Sequence, residues 1–214
     1  MQLILIRHGE SYVNLSDWTG GNMDEGLTDL GQRQADALAS WIVTEISPVD
    51  CLYASTMQRA RETAQRVADA YEVSINWDNR LREIGNNRHD HTPWPSQELP
   101  DYGGVWGPER PFSSITPAVE FGESWMHFRT RVGSFIEEMA GEHKSETVMV
   151  VCHGGVIGAA FDHIFNIGPW RRCEVWSHNT GVTRFEYVEI PNREVWRLRY
   201  QNRHEHLKGI RREG

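Results

Sequence analysis

Two short apolar runs, distant in the chain, end the same way. Leu3 to Ile6 leads into Arg7-His8-Gly9-Glu10-Ser11, and Thr147 to Val151 leads into Cys152-His153-Gly154-Gly155. Uninterrupted apolar runs of strand length suit central strands covered on both faces, which is the habit of parallel sheets. Residues just beyond the carboxyl ends of parallel strands face one crevice, so His8 and His153 are predicted to meet there. Glycine after each histidine lets the backbone approach a ligand closely, and Gly154 is placed to open a helix whose amino-terminal amides favour an anion.

The rest of the chain supplies helices for such a sheet. Leu38, Trp41 and Ile42 mark an amphipathic helix after Thr28. Met57, Ala60, Ala64, Val67, Ala68 and Tyr71 mark a second, with Ser55 and Gln58 read as a capping box. Trp125, Phe128, Val132, Phe135, Ile136 and Met139 mark a third. Further strands are expected at Cys51 to Tyr53, Val182 to Val188 and Val195 to Tyr200, the last two pairing as an antiparallel edge. The fold class is therefore α/β: a three-layer α/β/α sandwich with a mostly parallel central sheet. From about Asn86 to Gly122 the periodicity fails, and six of the nine prolines gather there beside Trp94 and Trp106. Such a stretch reads as an inserted cap or lid. The polar segment from Asn202 to Gly214 reads as a surface arm.

At 214 residues the chain is the size of one domain spanning positions 1–214, with the cap as an insertion. A net charge of −8 argues against a nucleic-acid or anionic-membrane surface while leaving room for a local cationic pocket. Cys51, Cys152 and Cys173 are odd in number and unrelated in spacing, which speaks against a disulfide framework and for a reducing, cytoplasmic setting. The amino-terminal apolar run is too short for a signal peptide, and no segment approaches membrane-spanning length.

Four pieces could carry chemistry: Arg7-His8, Arg59 early in the second helix, Glu83 in Leu81-Arg82-Glu83, and His153-Gly154. Paired arginine forks suit a phosphate dianion. Leu5-Ile6-Arg7-His8-Gly9-Glu10-Ser11 with Asn14, Leu27-Thr28 with Gly31 and Gln34-Ala35, Ser55 with Arg59-Ala60 and Thr63-Ala64, Leu81 with Glu83, Gly122-Glu123-Ser124, and Val150 to Gly155 follow in order. This series resembles the histidine phosphatase superfamily, in its phosphoglycerate-mutase-like branch, from Met1 to about Tyr187.

The resemblance implies a phosphomonoester hydrolase that needs no metal and no cofactor and works through a phosphohistidine on a small phosphorylated metabolite. His8 would be the nucleophile, kept neutral by the nearby charges of Arg7 and Arg59. His153 and the arginines would hold the phosphoryl oxygens, and Glu83 would protonate the leaving group and then activate water. Ser55, Asn14, Gly154 and Asn179 are further substrate-pocket positions, Asn179 being equally readable as a turn residue. A homodimer is compatible with this reading.

Other chemistries fit less well. A cysteine phosphatase built on Cys152 needs an arginine at position 158, where Gly158 stands. His89-Asp90-His91 and His204-Glu205-His206 lack further partners at zinc spacings and read as solvated loop histidines. The remaining alternatives are a phosphoglycerate mutase and a non-catalytic phospho-ligand binder. Mutases of the branch follow the glutamate with an arginine and then a tyrosine-glycine pair, whereas Glu83 here precedes Ile84-Gly85-Asn86-Asn87. A pure binder has no use for a proton donor. Trp18, Trp94 and Trp106 suit either an organic leaving group or packing of the cap.

Overall fold

The computed structural model describes residues 1–18, 23–46, 48–100, 115–169 and 174–210. Among these, six strands form one sheet in the order β3-β2-β4-β1-β5-β6: β1 is Gln2–Arg7, β2 Cys51–Ser55, β3 Ile75–Asp78, β4 Thr147–Cys152, β5 Val182–Ile190 and β6 Arg193–Arg203. The pairs β1·β4, β2·β4 and β2·β3 are parallel, and β5 joins β1 antiparallel before turning into β6. The helices are α1 (Asp29–Glu45), α2 (Gln58–Tyr71), α3 (Trp125–Glu142) and α4 (Gly154–Ile164).

The period-two alternation of a strand divides the core in two. From β1, Leu3 and Leu5 face α3 and α4, joined by Val148, Val150 and Cys152 of β4 and by Phe128, Phe135, Phe161 and Phe185. Ile4 and Ile6 face α1 and α2, joined by Met149, Val151, Leu38, Ile42, Ala60, Ala64 and Val67. Burial on both faces is what made these two strands readable as plain apolar runs. The three-layer α/β/α arrangement and mostly parallel sheet expected from the sequence are present.

Two local expectations need correction, and one strand was not foreseen. Ser55 does not cap α2; the cap is Met57, with no side-chain bond, because the Ser55 hydroxyl is turned toward His153. β3, with the sequence Ile-Asn-Trp-Asp, lies at the sheet edge and carries too little apolar signal to stand out. The segment beyond Asn202 is not all a free arm, since β6 runs to Arg203 and His206 packs against Trp41 with ring centroids 5.0 Å apart.

In the described parts of the segment expected to form a cap, antiparallel bridges join Asn87 to Pro93 and Arg88 to Gly122, and the Arg88 guanidinium stacks on Trp94 at 4.1 Å. Ser96 Oγ donates to Asp24 Oδ2 at 3.1 Å, tying this segment to the loop after β1. Trp106, Pro108 and Pro111, and likewise Cys173, lie outside the described residues.

Candidate functional site

The carboxyl ends of β1, β2 and β4 bring the expected residues to one place. β1 ends at Arg7 opposite Cys152 of β4, and the His8 amide donates to the Cys152 carbonyl at 2.9 Å, so His8 and His153 emerge from neighbouring strands. Their rings meet edge to face with centroids 5.0 Å apart, and both are buried. α1 docks close enough to secure the loop after His8. A Cβ on Gly31 would lie 1.8 Å from the Glu10 carbonyl oxygen, so only glycine permits the approach. Thr28 caps α1 by accepting the Gly31 amide at 3.1 Å and itself donates to Glu10 Oε1 at 2.9 Å.

The hydrogen bonds fix the chemistry of His8. Nδ1 lies 2.6 Å from the Gly9 carbonyl oxygen, which can only accept, so the proton sits on Nδ1. Nε2 receives the Arg59 Nε–H at 3.1 Å, so its lone pair points into the cationic pocket. Desolvation holds the His8 pKa well below 6.5, and the charges of Arg59 and Arg7 push it further down against the pull of the Gly9 carbonyl. Burial is thus the larger cause of its neutrality, and the arginines expected to dominate come second. His153 is likewise kept neutral, first by burial and then by Arg59.

Around this imidazole stand the other groups. Arg59 is buried, is braced by donating to the Met23 carbonyl at 2.8 Å, and has its pKa lowered to about 10, chiefly by desolvation. His153 Nε2 pairs with Ser55 Oγ at 2.8 Å. Arg7 Nη1 donates to the Ser177 carbonyl. Asn179 Nδ2 donates to the His8 carbonyl at 3.1 Å and to Asn14 Oδ1 at 3.4 Å, so these two asparagines also reach the site. Glu83 accepts the Gly155 amide on Oε2 at 3.0 Å and its neighbour Ile84's amide on Oε1 at 2.9 Å. Its bond to Gly155, two residues past His153, places it beside the same group of side chains. A Cβ on Gly155 would stand 2.1 Å from Glu83 Oε1, so this glycine makes room for the carboxylate. Gly154 opens α4 with its α-carbon facing the Arg7 side chain.

Two buried nitrogens, Arg7 Nε and His153 Nδ1, have no hydrogen-bond partner among the described residues. Buried polar groups rarely stay unpaired, and these belong to the groups that surround the His8 lone pair. The arrangement gathers cationic and hydrogen-bonding groups around His8 Nε2, with the Glu83 carboxyl group anchored on Gly155 beside them. Cys152 takes no part; burial pushes its thiol far up.

For a metal, the described residues offer Cys51, His143 and Glu146, remote from the cradle at the opposite ends of β2 and β4. Their contacts are accounted for by a His143–Glu146 pair at 2.6 Å and by a thiol that burial and Glu146 keep protonated.

Several participants escaped the sequence reading. Thr63, read only as a motif position, accepts the Gly9 amide on Oγ1 at 3.1 Å and donates to the Arg59 carbonyl at 2.8 Å, and the unforeseen Ser177 carbonyl orients Arg7. Fully buried Arg131 did leave a sign: an arginine on the apolar face of α3, three residues after Phe128 and four before Phe135.

The histidine phosphatase superfamily (branch 1) matches residues 3–203 of this sequence. The chain belongs to this family. It is 29% identical over 163 residues to the metal-independent phosphoserine phosphatase of Arabidopsis thaliana, covering 75% of this chain and 67% of that one. It is 25% identical over 191 residues to a protein of Yersinia enterocolitica named as a probable phosphoglycerate mutase, covering 89% and 87%. Among solved structures, a phosphoserine phosphatase variant of Entamoeba histolytica in complex with phosphoserine superposes with a TM-score of 0.71. That match is at 23% identity and covers 96% of this chain and 98% of the other. The structural match shows the shared fold, while the family and the phosphoserine phosphatase relative support phosphatase activity on small phosphorylated metabolites.

Proposed function

We propose that this protein hydrolyses a small phosphomonoester by two in-line transfers through phospho-His8. The observation that carries the reading is the locked tautomer: Gly9 holds the His8 proton on Nδ1 while the Nε2 lone pair faces Arg59. In the first transfer Nε2 attacks phosphorus, the phosphorus–ester oxygen bond breaks, and the Glu83 carboxylic acid gives its proton to the leaving alkoxide. Arg7, Arg59, His153 and the amides opening α4 hold the non-bridging oxygens, with Ser55, Asn14, Gly154 and Asn179 completing the pocket. In the second transfer Glu83, now a carboxylate, takes a proton from water. The oxygen attacks phosphorus, the phosphorus–nitrogen bond breaks, and phosphate leaves. No step calls for a metal.

A mutase would have to retain its phosphoryl group and bind a second anionic substituent near the glutamate. Here Ile84 is buried, and Asn86 and Asn87 spend their amides on the carbonyls of Glu83, Ile84, Asn79 and His91, so the segment after Glu83 turns inward. This favours release to water. The chain is read as one domain with an inserted cap, and the unpaired thiols of Cys51 and Cys152 support a reducing, cytoplasmic setting. No helix among the described residues is long and apolar enough to cross a membrane.

The test is a panel of phosphorylated metabolites assayed in chelator, scoring phosphate release and 3-phosphoglycerate isomerisation in parallel. Phosphate release without isomerisation is the expected result. Isomerisation as the faster reaction, or a strict need for added metal, contradicts the reading.

A further inference from the structure

Glu83 sits on a stretch that belongs to no strand or α-helix, yet a proton donor must be held within a fraction of an ångström of its target. The holding group lies in α3. Arg131 is completely buried, and its five N–H bonds are all used. Nε and Nη2 form a fork onto Glu123 at 2.8 and 2.7 Å. Nη1 donates to the carbonyls of Arg80 and Arg82, both at 2.7 Å, and Nη2 also donates to the carbonyl of Glu83 at 3.1 Å. Glu123, equally buried, accepts the Gly85 amide at 2.7 Å on the oxygen that faces Nη2. Three carbonyls and one amide of residues 80–85 are thus fastened to one ion pair, and the Glu83 carboxylate is fastened at its other end to Gly155.

Stability alone does not account for such a pair. Taking two full charges out of water cancels most of their attraction, and apolar replacements of equal volume are commonly as stable. What no apolar side chain supplies is a rigid planar fork that fixes several carbonyls in direction as well as position. We propose that Arg131 and Glu123 are positioning residues for catalysis, a buried clamp that sets the carboxyl group of Glu83 for proton transfer without touching the substrate. This rests on the reading of Glu83 as acid and base given above.

The clamp has a kinetic signature that a purely structural role lacks. An aryl phosphate with an acidic leaving group departs without a proton, whereas an alkyl phosphate needs one. The experiment measures kcat/KM, which reports the transfer to His8, across a series from activated aryl to alkyl phosphates for the wild type, Glu83→Gln, Arg131→Lys and the double variant. Glu83→Gln should lose at least about 100-fold more on alkyl than on activated aryl esters. Arg131→Lys should show the same steepening on a smaller scale, about tenfold, and should add little in the Glu83→Gln background because it acts through that residue.

If Glu83→Gln lowers both ester classes alike, the reading of Glu83 itself fails. If Glu83→Gln steepens the series while folded Arg131→Lys lowers all esters equally, lowers none, or adds its full effect in the double variant, the clamp is overturned. Should Arg131→Lys not fold, Glu123→Gln, which keeps the shape and removes the charge, goes through the same series. If that variant is unfolded as well, amide exchange in the wild type decides. A Gly85 amide as protected as those of β4 supports the clamp, and exchange at the rate of exposed loops refutes it.

Discussion

His8 is a neutral base at physiological pH because it is buried and because two guanidiniums stand near it. As pH falls, protonation removes the lone pair, so the acid limb of kcat/KM should lie below the ordinary histidine value of 6.5. A limb centred above 6.5, in a substrate whose own phosphate ionisation has been accounted for, would contradict this. Arg59 donates through Nε to His8 and through Nη1 to the Met23 carbonyl, a division that a lysine's single ammonium cannot reproduce. Arg59→Lys should therefore keep the charge and still lose on the order of 100-fold in kcat/KM, a loss near 3 kcal/mol of transition-state stabilisation. Activity within about threefold of wild type would show that charge alone suffices. At this scale the sequence was informative wherever a residue's chemistry was its signal: His8 meets Arg59 and His153 directly, and Glu83 is anchored on Gly155 beside them. It said less about Ser55, whose type fits a cap as well as it fits a partner for His153.

Gly155 shows how an element is shaped for a side chain from elsewhere. It occupies the first turn of α4, where alanine is normally the better helix former, but its missing Cβ is the space taken by Glu83 Oε1. Gly155→Ala should leave the melting temperature within a few degrees of wild type. It should cut turnover of an alkyl phosphate by about 100-fold, since displacement of the acid by an ångström suffices for such a loss. Unchanged turnover would mean that Glu83 has no need of its present place. Elements whose signal is apolar periodicity were legible: β1, β4 and the three amphipathic helices. β3 was not, because an edge strand of four residues with no buried side chain carries almost none of the pattern. The full length of β6 was not either, since the residues added after Tyr200, Gln201 to Arg203, are polar and only half-buried.

The whole molecule joins two half-cores through one sheet, and the buried His8 and His153 are part of the packing. Phe128, buried between α3 and the sheet, should cost about 3–5 kcal/mol on truncation to alanine, read as a lowered denaturation midpoint with unchanged slope. A loss under about 1 kcal/mol would mean that the core repacks. His8 and His153 have depressed folded pKa values, so the unfolded chain takes up protons that the folded chain refuses. Their contribution to stability is therefore whole above 6.5 and falls as pH drops below it, which denaturation at pH 5 against pH 7.5 will register. What the sequence could not convey at this scale is the bracing of distant stretches by single side chains, as Arg131 braces residues 80–85, because such contacts have no period and no motif. If residues from four stretches of the chain make one nucleophilic cradle around His8, the phosphoryl group must rest there during turnover, and rapid acid-free quenching with phosphorus-labelled substrate in chelator will trap it. A transient label that is acid-labile, alkali-stable and carried by His8 is predicted, absent from His8→Ala. A label that persists in that variant, or phosphate release at full rate without His8, would contradict it.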